Sequence, residues 1–220
     1  WEWNKENFPW HYDPSSKESD VQYVGRFVHE KMDHYVKEAV DNLTDQDQYD
    51  EVSIKGEPYN DEAKEIMEGY HNDLTRAGFN EHNTGGRQTR NLGPFFNLLG
   101  QASGLWNPQI MFLEQPPGKF VPWHRDSYNN YRRNHAKVSD DTEVIRYLVQ
   151  LNDWQWGHYV SVGNDVIHQY KMGDIHCWPE GIYHATGNAG LWPRYCLTIT
   201  GVVTPSALHL KESKDFNLKL

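Results

Sequence analysis

The spacing of hydrophobic positions changes about halfway along this chain. Over 20–43, apolar residues recur three and four positions apart, which predicts an amphipathic helix. The polar, acidic stretch over 44–60 predicts a loop, and 61–77 repeats the helical spacing and ends at Gly78. The aromatic-rich arm over 1–20 contains two prolines and predicts irregular structure. Helices are therefore expected in the first half of the chain.

The second half of the chain has the pattern of strands. After Pro108 the apolar runs become short, rich in β-branched and aromatic residues, and separated by Gly, Pro and Asn-Asp. Strands are predicted over 109–114, 119–124, 144–151, 157–162, 165–170, 174–178, 182–186 and 194–203. Eight short strands at this spacing are typical of a sandwich or barrel. We therefore predict an α+β, mainly β fold, with N-terminal helices packed against a β core.

One domain is expected across all 220 residues. It consists of an arm with supporting helices over 1–107, a β core over 108–203 and a tail over 204–220. Two glycine-containing segments, 81–91 and 93–96, predict turns. Neither follows a predicted strand, so neither is interpreted as a phosphate-binding loop.

Composition and charge exclude several classes of protein. Hydrophobic residues make up only 37% of the chain, but the aromatic content of 14% argues against disorder, since Trp and Tyr bury large areas. A net charge of −10 disfavours non-specific nucleic-acid binding. The two cysteines favour a reducing compartment. No apolar run reaches the ~20 residues of a membrane span and no signal peptide is visible, so we expect a cytoplasmic protein, although a chain that begins at Trp1 is compatible with a trimmed leader.

Three His-x-Asp triplets are candidates for a metal site, where composition alone predicts about one. Residues 71 and 73 lie on a predicted helix, where positions two apart point in opposite directions and cannot share an ion. Residues 11 and 13 lie in the arm, which offers no rigid scaffold. His124 and Asp126 follow an extended strand and project to one face of it. An imidazole beside a carboxylate suits a divalent ion.

A third ligand must come from further along the chain. His184 follows a Pro-Glu-Gly turn at the start of a predicted strand, and Arg194 comes ten residues later. The other downstream histidines lack an arginine at that spacing, and they are interpreted as half-buried strand residues or as part of the tail: His158, His168, His176 and His209.

The segment 123–126 (Trp-His-Arg-Asp), followed by His184 and Arg194, resembles the His-x-Asp…His…Arg pattern of iron(II)- and 2-oxoglutarate-dependent oxygenases. Segment 151–157 is similar to the strand-turn-strand of prolyl-hydroxylase-like members, and 172–179 is similar to their approach to the distal histidine. His184, Asn188 and Arg194 also resemble the aspartyl/asparaginyl β-hydroxylase-like branch. The likeness covers about residues 108–203.

The resemblance implies a double-stranded β-helix, or cupin-like jelly roll, and a non-haem iron dioxygenase. It implies Fe(II) held by His124, Asp126 and His184, with O2 and the co-substrate 2-oxoglutarate in the open positions. The far carboxylate of 2-oxoglutarate would pair with Arg194, whose guanidinium binds a carboxylate through two parallel hydrogen bonds. Such an enzyme hydroxylates a C–H bond and releases succinate and CO2. The presence of Asp126 favours hydroxylation, because halogenating members carry a small residue there.

Two further residues are assigned from the resemblance. The family usually has a hydroxyl two residues after the arginine, but this chain has Cys196, and Thr198 on the same strand face is the expected substitute. Arg146 resembles the additional carboxylate-binding arginine of the aspartyl-hydroxylase branch. The alternative is an ordinary arginine on a strand surface.

The 17-residue segment after Asp126, over 127–143, carries unusual charge for an acidic chain. Loops of this length in a compact domain are usually functional or disordered. One interpretation is a lid that receives an anionic small molecule or peptide; the other is a solvated loop. The candidate substrate contacts are Arg125, Tyr128, Arg132 and Arg133, with His135 and Lys137 adding to the charge.

Two other classes of protein remain open at this point. A cupin-like metal protein, for example an isomerase, would use the same ligands for Zn, Mn or Ni, but it has no need for Arg194. A structural or carbohydrate-binding jelly roll would make the alignment of His124, Asp126 and His184 coincidental. Within the class of 2-oxoglutarate-dependent enzymes, a halogenase or an epimerase is a further alternative, although Asp126 argues against a halogenase.

Overall fold

A computed structural model describes residues 19–49, 84–126, 128–134, 139, 141–211 and 217–219. Most of the predicted arm, most of the predicted loop over 44–60 and the predicted helix over 61–77 lie outside these residues. Among the helices that are described, none combines the length and apolarity needed to cross a membrane.

Strands dominate the described part of the chain. They are β1 (Gln22–Val28), β2 (Gln48–Tyr49), β3 (Gly86–Thr89), β4 (Trp106–Gln115), β5 (Phe120–His124), β6 (Val144–Gln150), β7 (His158–Val162), β8 (Asp165–Ile167), β9 (Asp174–Cys177), β10 (His184–Asn188), β11 (Arg194–Val202) and β12 (Asn217–Lys219). The α-helices are α1 (Met32–Asp41), α2 (Pro94–Ala102) and α3 (Asn129–Asn134), and the 3-10 helices are Asp45–Asp47 and Leu208–Leu210. A strand was found in each of the eight predicted segments.

The strands form two sheets that face each other. The large sheet has the order β12-β1-β9-β6-β11-β4-β3-β2, and the small sheet has the order β5-β10-β7-β8. All pairings among β3–β11 are antiparallel. From β4 to β11 successive strands alternate between the two sheets, except that β7 and β8 pair with each other in the small sheet. Apolar side chains from both sheets meet in the interior, among them Leu148 of β6 and Val160 of β7. This arrangement is a double-stranded β-helix, which confirms the predicted α+β, mainly β fold class.

The opposite face of the large sheet is covered by helices. Strand alternation sends Leu197 and Ile199 of β11 to this outer face, where they join Val36 of α1 and Leu99 of α2 in one buried cluster. Cys196, the residue before Leu197, packs in the barrel interior. The central strands therefore support two separate cores, one on each face.

The helix predicted over 20–43 is wrong in its first part, where β1 is found. In a regular strand Val24 and Phe27 would point to opposite faces, yet both are buried in the same cluster. The pairing of β1 with β9 shifts register between Tyr23 and Gly25, and Gly25 has a φ of 145°. This bulge inserts one residue, so buried positions three apart imitate the period of a helix.

Two of the predicted turns are also regular elements. Segment 93–96 begins α2, with Pro94 in the first helical turn, where a missing N–H costs nothing, and with Phe95 and Phe96 buried. Within 81–91 the structure has β3. Its Gly86 lies so close to the Glu114 carbonyl of β4 that a Cβ would collide with it.

Candidate metal centre

The neighbouring strands β5 and β10 of the small sheet bring the three predicted ligands together. His124 ends β5 and His184 begins β10, and the two residues are directly opposite each other in the antiparallel register. Asp126 follows β5 after one intervening residue. One potential ligand atom from each of the three residues lies within 4.8 Å of the others. This spacing allows all three side chains to bind the same ion.

Both imidazole rings are held in one orientation. Nδ1 of His124 lies 2.7 Å from the Pro122 carbonyl oxygen, and Nδ1 of His184 lies 3.0 Å from that of Ile182. A carbonyl oxygen only accepts, so each Nδ1 donates a proton and each Nε2 keeps a free lone pair. Nε2 of His184 is 3.7 Å from Oδ2 of Asp126. Two neutral imidazoles and one carboxylate are a donor set that suits Fe(II) and similar divalent ions, so the residues fit the predicted metal.

The electrostatics of His184 and Asp126 keep these two ligands in the metal-binding protonation state. Burial, reinforced by the neighbouring His124, lowers the pKa of His184 to about 4. Burial alone would raise the pKa of Asp126, but Arg146 and the two imidazoles outweigh it, so this pKa lies below its ordinary value. At neutral pH His184 is therefore neutral and Asp126 is ionised, as metal ligands must be.

Arg146 lies beside the metal ligands. Its Nη1 donates to Oδ2 of Asp126 at 2.5 Å, and its Nε donates to Oγ1 of Thr200 on the adjacent strand at 3.0 Å. The guanidinium carbon is 5.2 Å from the centre of the Tyr128 ring, within the range of a cation–π contact. In this arrangement Arg146 orients Asp126. Its predicted contact with a 2-oxoglutarate carboxylate stays a prediction.

Arg194 begins β11 deep inside the barrel and is only 2% exposed. Its Nη1 and Nη2 make long contacts, 3.4 and 3.5 Å, to the neutral side-chain oxygens of Gln115 and Gln150. Among the described residues, its buried Nε has no hydrogen-bond partner, and no carboxylate forms an ion pair with Arg194. A buried guanidinium without an anion is costly, so this pocket favours an anionic ligand.

Two polar residues beside Arg194 were missed in the sequence analysis. Gln150 is fully buried at the end of β6, and its Nε2 has no partner among the described residues. Gln115, at the end of β4, donates from Nε2 to Oγ1 of Thr186 at 3.0 Å. The sequence did contain a signal for them, because each glutamine is the last residue of a strand that is otherwise mostly apolar.

The inner face of β11 connects the two ends of the candidate site. Alternate residues Arg194, Cys196, Thr198 and Thr200 share this face, and Thr200 contacts Arg146. Thr198, which is 8% exposed, lies in the register between Met111 of β4 and Leu148 of β6. Its predicted contact with 2-oxoglutarate stays a prediction.

The four predicted substrate residues have different environments. Tyr128 is buried beneath Arg146, and Arg132 of α3 is paired with Glu180. Arg125 is exposed next to the metal ligands, and Arg133 is exposed on α3, where it contacts Asn130. The segment expected as a long loop therefore contains a short helix. His135 and Lys137 lie outside the described residues.

The strand order and the three clustered ligands define the class: a double-stranded β-helix with a two-histidine, one-carboxylate site. No family model and no curated protein matches this chain. A prolyl-4-hydroxylase of Pseudomonas putida is 17% identical, with 84% of this chain and 93% of that chain covered and a TM-score of 0.43.

Two further solved structures are similar to the chain. For a Cupin 2 conserved barrel domain protein of Salinispora arenicola the identity is 9%, the coverage 56% of this chain and 78% of that chain, and the TM-score 0.32. For a predicted oxalate decarboxylase of Thermotoga maritima the identity is 13%, the coverage 54% of this chain and 82% of that chain, and the TM-score 0.35. At these scores the similarities carry no inference about activity, and the fold assignment rests on the strand order.

Proposed function

We propose that this protein is an Fe(II)- and 2-oxoglutarate-dependent oxygenase that hydroxylates a C–H bond. The observation that carries the proposal is the presence of two features on the walls of one barrel. His124, Asp126 and His184 form the candidate metal cluster, and the buried Arg194, which has no carboxylate partner among the described residues, lies elsewhere on the interior wall. A metal protein without an anionic co-substrate has no use for Arg194 in this position.

Each residue of the cluster has a defined task. Nε2 of His124 and of His184 and the carboxylate of Asp126 would hold the ion on one side, which leaves its other positions open. Arg146 fixes the carboxylate through Oδ2. When bound, iron with 2-oxoglutarate and O2 supplies C–H oxidation, with release of succinate and CO2.

Arg194 would bind the far carboxylate of 2-oxoglutarate. The guanidinium offers parallel N–H donors, and Nε2 of Gln150, which has no partner in the described part of the chain, is a further donor beside it. Leu148 and Cys196 line the same wall between the two charged ends. Apolar walls exclude water and strengthen the charge pairing at both ends.

The proposal is tested by succinate release from purified protein given Fe(II), 2-oxoglutarate and pools of amino acids, peptides and nucleosides. Wild-type protein is expected to release succinate, faster with the pool that contains the substrate, and His184→Ala and Arg194→Met are expected to release almost none. Metal binding without any 2-oxoglutarate binding would instead support the cupin-like metal protein or isomerase.

We further propose that the substrate is anionic, from two exposed arginines: Arg125, which lies between the metal ligands His124 and Asp126 in sequence, and Arg133 on the following helix α3. Replacing both by Gln should raise the KM for the substrate and leave substrate-free 2-oxoglutarate turnover unchanged. Unchanged KM would point to the solvated-loop interpretation.

A further inference from the structure

One carboxylate outside the metal cluster joins the two chain segments that carry Asp126 and His184. Glu180 lies in the turn between β9 and β10, four residues before His184. Its Oε1 accepts from the backbone N–H of Tyr128, two residues after Asp126, at 2.9 Å. Both oxygens accept from Arg132 of α3, from Nη1 and Nη2, at 2.8 Å each. We call Glu180, Arg132 and Tyr128 the clasp.

The ion pair in the clasp differs from an ordinary surface pair. The Arg132 side chain is 11% exposed, and its Nη2 also lies 3.3 Å from the Thr142 carbonyl oxygen. Exposed ion pairs add little because both side chains lose freedom and water screens the charges. Here the guanidinium is largely shielded and binds with two parallel hydrogen bonds, the geometry that makes such pairs strong and directional.

A second set of contacts runs from the clasp into the metal cluster. The same Tyr128 whose N–H binds Glu180 places its buried ring against Arg146, and Arg146 binds Asp126. Contacts therefore lead from Glu180 to Asp126 through Tyr128 and Arg146, and Glu180 precedes His184 by four residues in the chain. Both connections start at one residue.

We propose that Glu180 is a positioning residue, which with Arg132 and Tyr128 sets the position of Asp126 relative to His184. The inference rests on the proposed metal centre. Metal affinity depends on how closely the free protein already holds its ligands in the bound geometry. Without the clasp, the segment after Asp126 loses its attachment to the turn before β10, and the carboxylate is held less closely.

The test is a Co(II) titration of the metal-free 220-residue chain, measured by calorimetry and by the visible absorption of the bound ion. Glu180→Gln and Arg132→Gln should each weaken Co(II) binding about tenfold, the lower end of the range for residues that support metal ligands, and should change the spectrum. The double variant should bind Co(II) no more weakly than either single variant, because both changes break the same contact. Glu180→Ala also removes the acceptor for the Tyr128 N–H, so this variant should bind Co(II) more weakly still.

Arg26→Gln is the matched control. It breaks an arginine–carboxylate pair of 2.6 Å, with Asp174, between β1 and β9 of the large sheet. It should bind Co(II) with wild-type affinity and spectrum. Circular dichroism establishes that each variant is folded, and if Arg132→Gln does not fold, Glu180→Gln decides, since Gln retains an acceptor for the Tyr128 N–H.

If folded Glu180→Gln binds Co(II) with wild-type affinity and spectrum, the positioning role of Glu180 is wrong, and the proposed metal centre is unaffected. A wild-type protein that binds no Co(II) would overturn the metal centre, and the role of the clasp with it. A ten-fold loss shared by Arg26→Gln would also overturn the proposal, because the effect would then follow general stability.

Discussion

The two faces of the large sheet contrast sharply in chemistry, although the same strands build both. On the outer face, Leu197 and Ile199 of β11 and Phe112 of β4 belong to one apolar cluster with the helices. On the inner face, the alternate residues of β11 include Arg194 and Thr198. One strand thus divides its side chains between a stabilising core and a candidate site.

The difference shows where the molecule carries unfavourable interactions. Three buried polar atoms on or beside the inner face lack a hydrogen-bond partner within the described part of the chain: Nε2 of Gln150, Nδ1 of His176 and Nε of Arg194. Each unsatisfied buried group costs about 1–3 kcal/mol. We conclude that the outer face supplies stability, while the inner face is arranged for a ligand at the expense of stability.

The largest expected change in the free energy of unfolding comes from a substitution on the outer face. Phe112→Ala should lower the free energy of unfolding by about 3–5 kcal/mol, because the ring is fully buried between Phe96 and Tyr195. Urea unfolding measures this loss. Co(II) affinity of the folded variant should not change, and a large loss of affinity would show that the two faces are not independent.

The next effect is a pH dependence from the inner face. Burial lowers the pKa of His176 to about 4, whereas a histidine in the unfolded chain titrates near 6.5. As the pH falls, the unfolded chain binds the proton first, so the penalty is absent above about pH 6.5 and complete below about pH 4.

His176→Leu removes this penalty. The free energy of unfolding of the variant relative to wild type should therefore rise by about 3 kcal/mol between pH 7 and about pH 4. The other buried histidines titrate in both proteins and cancel in the comparison. A difference that does not depend on pH would show that His176 is not buried in its neutral form.

A smaller gain in stability is expected from Arg194→Met. Replacing a buried charge that has no anionic partner in the described structure by an apolar chain should raise the free energy of unfolding of the ligand-free protein by about 1–3 kcal/mol. The same variant should bind 2-oxoglutarate at least ~30-fold more weakly, since removing one member of a buried charge pair costs about 2–5 kcal/mol. Thermal unfolding with and without 2-oxoglutarate measures both, and a destabilised ligand-free variant would contradict the account.

The smallest effect is expected outside both faces. Lys171→Gln breaks a 3.3 Å pair with Asp153 in which both side chains are more than half exposed. The free energy of unfolding should change by less than about 1 kcal/mol. A larger loss would mean that surface pairs contribute to the stability assigned here to the outer core.

The sequence predicted the β core and the metal cluster because both have short-range signals. Strand alternation and turn residues mark each strand, and His124 with Asp126 lies within three positions. β1 was mistaken for a helix because its bulge imitates helical spacing. Glu180 and Arg132 are 48 positions apart, and Gln150 and Arg194 are 44 apart. Such contacts depend on the register between strands, which no local pattern specifies.

The central claim is that one barrel holds Fe(II) and 2-oxoglutarate together. The most direct test is the visible spectrum of anaerobic protein with Fe(II), before and after 2-oxoglutarate is added. Wild-type protein should develop a weak charge-transfer band at about 500 nm, an expectation for this ligand set. His184→Ala should show no band, and Arg194→Met should need much more 2-oxoglutarate to produce it. Wild-type protein that binds Fe(II) but gives no band, or a band that persists in His184→Ala, would contradict the account.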